Sequence, residues 1–203
     1  EKMLYDNALL AKLYIDMAQA TKQDLYSEVP RDIFKYILSE MTSPEGAFYS
    51  SQDADTDGAE GGYYFWEMKE LLDLLGPRNA KAMAHHFGVT SSKGTAQKNV
   101  LYIKEPIENL AKLEGIAIFE LDHILRTSKE ILLQARRKRS RPFTDQKIIT
   151  GWNGLMITAF ASGYMVLHGK DYLKVAIRAG EFLWNKMWTE NRILLRIYSN
   201  GES

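Results

Sequence analysis

Apolar positions recur along the chain at three- and four-residue steps far more often than they alternate, so the pattern predicts a mainly helical protein. From Lys2 to Thr21, the residues Leu4, Ala8, Ala11, Tyr14, Ile15 and Ala18 fall on one helical face. A short polar break at Lys22–Asp24 precedes a second helix. Its stripe is Ile33, Phe34, Ile37, Leu38 and Met41, and Pro30 suits its first turn. Ser43-Pro44-Glu45-Gly46 ends that helix, because proline cannot continue the hydrogen-bond ladder. Further helices are expected over Met68–Leu75, Asn79–Phe87 and, as the longest, Ile107–Arg137, where Gly115 is a mild weak point. A segment apolar nearly all round, Trp152–Leu167, is followed by a more ordinary amphipathic one, Tyr172–Met187.

Strand-like runs are few. Phe48-Tyr49-Ser50 and Tyr63-Tyr64-Phe65-Trp66 flank an acidic, glycine-rich stretch, as in a long β-hairpin carrying a loop. Val100–Ile103 and Ile193–Tyr198 are further short strands. Buried helices alternating with amphipathic ones suggest helical hairpins, arranged as a toroid or as a two-layer array; periodicity alone leaves both open.

Composition narrows the function. The 203 residues carry 26 Lys+Arg against 26 Asp+Glu, a net charge of zero, which argues against a dedicated nucleic-acid binder. Cysteine is absent, which excludes disulfides, thiolate metal sites and thiol nucleophiles and suits either redox environment. The strongest apolar run, Leu155–Phe160, is far shorter than the roughly 20 residues of a membrane span, so no membrane partner is expected. Nothing at the amino end reads as a signal peptide. The chain opens at Glu1 directly in a helical pattern, and the expectation is a piece of a longer protein.

Three segments could carry chemistry. In Asp53-Ala54-Asp55-Thr56-Asp57-Gly58 the acids sit at the first three alternate positions of a calcium loop, with glycine at the sixth. The twelfth position is Tyr64, so the bidentate glutamate is missing; a looser cation site or a solvated acidic turn fits the same residues. Six aromatic residues bracket it, from Phe48 to Trp66. Carboxylates beside aromatic faces suit a sugar cleft, where rings stack on pyranose faces and the acids serve as proton donors, acceptors or hydroxyl ligands. By this reading Asp53 and Asp55 are acid/base candidates, and Tyr64 and Trp66 are either sugar contacts or core. The second segment, Arg141 to Gly154, supplies Asp145 as a third acid/base candidate, with Trp152 as a stacking platform and Asn153 as a hydroxyl contact. Its bland alternative is a helix cap and an Asp145–Lys147 or Asp145–Arg141 pair. Asp6 and Asn7, early in the first helix, are candidate contacts or simple dipole partners. His85-His86 point about 100° apart and make a poor metal pair. The run Arg136-Arg137-Lys138-Arg139-Ser140-Arg141 resembles a nuclear or nucleic-acid patch, but at a helix end it complements the carbonyl dipole.

Three blocks together, Glu1-Lys2-Met3-Leu4-Tyr5-Asp6-Asn7-Ala8, Ala47 to Asp55, and Asp145-Gln146-Lys147 followed by Trp152-Asn153-Gly154-Leu155, resemble the YyaL / spermatogenesis-associated protein 20 family. The resemblance implies an α/α toroid of the six-hairpin glycosidase type, (α/α)6, with short β-hairpins in its loops. Residues 1–203 would form the first part of that toroid, in a parent that also carries a thioredoxin-like domain. It implies a carbohydrate ligand, bound or processed by hydrolase- or epimerase-type chemistry. The alternative is a non-catalytic scaffold serving the redox domain. Where the family usually pairs two aspartates before the lysine, this chain has Asp145-Gln146. No cofactor and no metal are expected, and the expected location is the cytoplasm.

Overall fold

A computed structural model describes residues 1–91 and 97–199. The chain is mainly helical, as its periodicity predicts, and divides into two compact units: residues 1–53 with 143–199, and residues 54–142.

The first unit is built on two helical hairpins. Helices α1 (Leu4–Thr21) and α2 (Asp24–Glu40) form one, and α6 (Thr150–Leu167) and α7 (Tyr172–Phe182) the other. The core takes Leu4, Ala8, Ala11 and Ile15 from α1, Phe34 and Ile37 from α2, Met156, Ala159 and Phe160 from α6, and Ala176 and Ala179 from α7. Alanines at the helix contacts let the axes approach, and aromatic rings fill the space between. Phe160 stacks on Phe34 at 4.1 Å and on Phe48 at 5.5 Å between centroids. The backbone of Gly163 lies so close to Phe34 that a Cβ there would meet the ring at 2.6 Å.

Helix α2 begins earlier than the sequence suggests, and Pro30 sits inside it rather than in its first turn. The turns before Pro30 are held by tertiary packing, since the Tyr26 ring lies 6.1 Å from that of Tyr14. A single missing hydrogen bond is affordable there.

Strands are only two residues long. In the first unit β1 (Lys2–Met3), β2 (Ser51–Gln52) and β5 (Thr144–Asp145) form an antiparallel sheet in the order β1-β2-β5. The pair β6 (Ile148–Ile149) and β7 (Ile197–Tyr198) precedes and follows the α6–α7 hairpin, and a π-helical turn, Leu183–Met187, extends α7. The expected strand at Ile193–Tyr198 is thus confined to its last two residues, plus a bridge from Leu194 to Trp188.

The second unit holds a tight hairpin, β3 (Asp55–Thr56) with β4 (Ala59–Glu60), and helices α3 (Met68–Phe87), α4 (Ile107–Glu114) and α5 (Ile118–Arg136). The expected single helix Ile107–Arg137 is two helices. Gly115 at φ +66° closes α4 in the left-handed conformation that only glycine adopts cheaply, so it is a stop and not a weak point. In α3, Gly76 (φ +72°, ψ 167°) interrupts the spiral between the two expected segments. Val100–Ile103 forms no strand; only Asn99 bridges, to Trp66. Leu71, Leu75, Met83, Leu110, Leu121, Leu125 and Leu132 form this unit's core. No described helix is long and apolar enough to cross a membrane.

Candidate functional site

The three-stranded sheet of the first unit gathers remote stretches of chain. Lys2 lies opposite Gln52, which lies opposite Thr144; Met3 lies opposite Ser51, which lies opposite Asp145. The ladder extends outward, with the Asp53 amide donating to the Phe143 carbonyl at 2.8 Å, in the same register. Side chains alternate across a sheet, so Asp53 and Asp145 share a face as diagonal neighbours, a relation that sets residues about 7–8 Å apart and their Cβ atoms somewhat closer. Asp53 is exposed and Asp145 half-buried.

Asp145 is firmly held. Its carboxylate accepts the Lys147 amide at 3.1 Å and pairs with Lys147 Nζ at 2.9 Å. Burial pushes its pKa up, but the Lys147 bonds and charge, with the Ser50 hydroxyl, outweigh that and hold it below the ordinary value. At neutral pH it is an anion, equipped to accept a proton or a hydroxyl hydrogen bond and poorly suited to donate one.

On the neighbouring register position the Tyr36 hydroxyl donates to Gln52 Oε1 at 3.1 Å, Gln52 Nε2 reaches Thr144 Oγ1 at 3.4 Å, and Lys2 Nζ lies 4.6 Å from the Tyr36 ring centre. Sequence reasoning missed Tyr36 and Gln52. Tyr36 shows only a polar tip within an amphipathic helix, and Gln52 is overshadowed by Asp53.

Trp152 opens α6 and meets the Tyr5 ring edge-on, with centroids 4.9 Å apart, leaving it half-buried. Its neighbour Asn153 corrects an expectation. It is fully buried, accepts the Phe48 amide at 2.8 Å, and donates to the Phe48 and Ile149 carbonyls at 2.9 and 3.1 Å. With both amide N–H groups and one lone pair of its oxygen given to main chain, and with no exposure, Asn153 ties the segment before β2 to the start of α6. Asn7 turns back to the Met3 carbonyl at 2.7 Å, while Asp6 is exposed in the first turn of α1, where an acid complements the helix dipole.

The remaining candidates belong to the second unit. Trp66 is 2% exposed, its backbone paired with Asn99 and its ring covered at 4.1 Å by the Arg139 guanidinium; core, not cleft, is the structural reading. Tyr64 is half-buried, edge-on to Tyr63 at 5.0 Å and beneath the Arg136 guanidinium at 5.2 Å. Asp55 is exposed in β3 beside the two-residue turn Asp57-Gly58, both at positive φ. Asp53 and Asp55, two residues apart, therefore belong to different units. Among the described residues, no group of three or more histidine, aspartate or glutamate side chains could hold a metal ion.

No family model matches the chain. Over 93% of its length it is 31% identical to human spermatogenesis-associated protein 20, and 28% and 29% identical to the rat and mouse proteins. Along nearly its whole length the chain is thus similar to the spermatogenesis-associated protein 20 proteins. It spans 27% of the length of these mammalian relatives. An uncharacterised Caenorhabditis elegans protein is 31% identical over the whole chain, which covers 31% of it. Among solved structures, D-mannose isomerase matches over 98% of this chain and 45% of its own, with 11% identity and a TM-score of 0.30. Cellobiose 2-epimerase from Bacillus thermoamylovorans B4167 matches over 98% and 65%, with 11% identity and a TM-score of 0.29. The blocks that carry the sequence resemblance are the ones the β1-β2-β5 sheet and the Asn153 tether join.

Proposed function

We propose that residues 1–203 are part of a six-hairpin-glycosidase-like α/α toroid whose parent protein binds a carbohydrate, with the Asp53–Asp145 face of the β1-β2-β5 sheet as the contact surface. The register that makes these two acids diagonal neighbours is the observation that carries the reading. A separation of roughly 5–10 Å is what a two-carboxylate sugar site uses. Asp145, held anionic by Lys147, acts as the base or hydroxyl acceptor, and Asp53, exposed, supplies the second carboxylate. Trp152 offers a partly open indole for stacking. Asp6 is a peripheral contact in this proposal, and hydrolase- or epimerase-type turnover belongs to the full-length parent.

A titration of the full-length parent with mono- and oligosaccharides tests this, read by tryptophan fluorescence and thermal shift. Asp145→Asn and Asp53→Asn should each abolish the response without lowering the melting temperature by more than a few degrees. Trp152→Ala should weaken it by about tenfold or more, the loss of one stacked ring. Retention of sugar binding by folded Asp145→Asn would defeat the site assignment.

A second reading has its own support: Trp66 and Asn153 are spent on packing, and Asp145 is engaged by Lys147, as in a scaffold. In that case the module serves the thioredoxin-like domain of the parent. No response to any sugar, together with a stable complex between the separated redox domain and this chain, selects it.

A further inference from the structure

The basic run at the end of α5 is not absorbed by the sugar reading. Five cations, Arg136, Arg137, Lys138, Arg139 and Arg141, surround Ser140 in a chain of zero net charge. The structure divides them into two groups. Arg136 lies over the Tyr63 and Tyr64 rings at 5.5 and 5.2 Å. Arg139 is a clamp: it donates to the Tyr63 carbonyl at 3.0 Å, the Phe65 carbonyl at 2.7 Å and Glu70 Oε1 at 2.9 Å, and covers Trp66. Arg137 and Lys138 are exposed, as are Ser140 and Arg141. Past Arg139 the chain leaves the helix and its turn, so the Ser140 hydroxyl is presented on non-helical backbone.

We propose that Ser140 is a phosphorylation site for a kinase with an acidic substrate groove, and that the phosphate acts on the Arg139 clamp. The exposed cations three and two residues before the serine, Arg137 and Lys138, are the recognition elements, since kinase selectivity rests on such charge patterns. In the transfer step the Ser140 Oγ bonds to the γ-phosphorus of ATP. The bond from that phosphorus to the bridging oxygen breaks, ADP leaves, and the hydroxyl proton passes to the kinase's base. The product carries a charge of about −1.5 to −2 beside Arg139. It competes with the single charge of Glu70 for the guanidinium through charge-assisted hydrogen bonds. Glu70 has a second duty, because its Oε2 accepts the Glu67 amide in the capping box that starts α3. Drawing Arg139 away therefore loosens residues 63–70, which lead into the helix.

The experiment treats the full chain with MgATP and the catalytic subunit of a basic-directed serine kinase. Mass spectrometry locates the phosphate, and hydrogen exchange follows residues 61–71. Phosphorylation at Ser140 is expected. It should be lost in Ser140→Ala and slowed about tenfold or more in the Arg137→Gln/Lys138→Gln double variant, which removes two charge-assisted contacts. Exchange over 63–70 should rise on phosphorylation. It should already be raised in unphosphorylated Arg139→Gln and, should that variant fold poorly, in Glu70→Gln, with little further change once phosphate is added. No incorporation at Ser140, or equal rates in the double variant, overturns the site. Stoichiometric phosphate with unchanged exchange overturns the clamp.

Discussion

Each unit is pinned by one buried asparagine beside an aromatic residue, and the two differ in how visible they are in the sequence. In the first unit Asn153 joins the Phe48 backbone to the head of α6 and has no exposure. In the second, Asn99 accepts the Thr90 amide and donates to the Trp66, Thr90 and Gln97 carbonyls, with 8% exposure. Asn153 stands out in Trp152-Asn153-Gly154 as a polar residue entering an apolar helix, and there it suggests binding. Asn99 lies in an irregular stretch and attracts no notice. Both do the same work: their amides bond main-chain groups inside the fold, Asn153 with no exposure and Asn99 with a little. A conspicuous polar side chain is therefore weak evidence for a ligand until its hydrogen bonds have been counted.

The sharpest way to break this comparison is Asn153→Ala. It strands the Phe48 amide and carbonyl and should cost the first unit about 3–5 kcal/mol, seen as a lost or much lowered thermal transition. Asn99→Ala should cost less, because its surroundings admit water; equal losses would show that the exposure difference is irrelevant. Next is Arg139→Met in the second unit. Loss of the Glu70 pair and two carbonyl bonds should cost about 2–3 kcal/mol by denaturant unfolding, part of the aromatic contact being kept by the methionine.

Gly115→Ala should cost about 1 kcal/mol, because the new Cβ meets nothing within 4 Å and the penalty comes from the positive φ alone. The smallest effects depend on pH and separate the units. His86 is pushed below its ordinary pKa by burial, only partly countered by its hydrogen bond to the Glu105 carbonyl at 2.7 Å. The unfolded chain then binds this proton more readily. The second unit should lose stability as pH falls through about 6.5 toward the lowered folded value, and His86→Gln should flatten that slope. Asp145 is also lowered, so its contribution is complete above about pH 4 and fades as pH falls further; Asp145→Asn removes that dependence from the first unit only.

The helical framework was legible because it is written in local periodicity. The stripe of α1 and most of that of α2 occupy the core as their spacing required, whereas along α7 and its π-helical turn Ala176 is buried but Ile177 and Trp184, on the same expected stripe, are exposed. Pro30 and Gly115 were misjudged in opposite directions. Tertiary contacts carry a helix through a proline, whereas a left-handed glycine ends one whatever its neighbours prefer. Of the proposed site, the three blocks were legible as motifs, but the roles of Trp66 and Asn153 were not, since burial is decided by what packs on a side chain from elsewhere.

By itself, the sequence determined where helices can form, through the 3.6-residue recurrence of apolar side chains and the few residues that forbid continuation. It determined that acids and aromatics cluster around residues 48–66. Only tertiary structure decided which of those groups stay available. Strands of two residues carry almost no local preference and exist because β1, β2 and β5 are brought together from positions about 50 and 90 residues apart. Once they are paired, the register, which no local pattern encodes, sets Asp53 and Asp145 on one face and leaves Asp55 in the other unit.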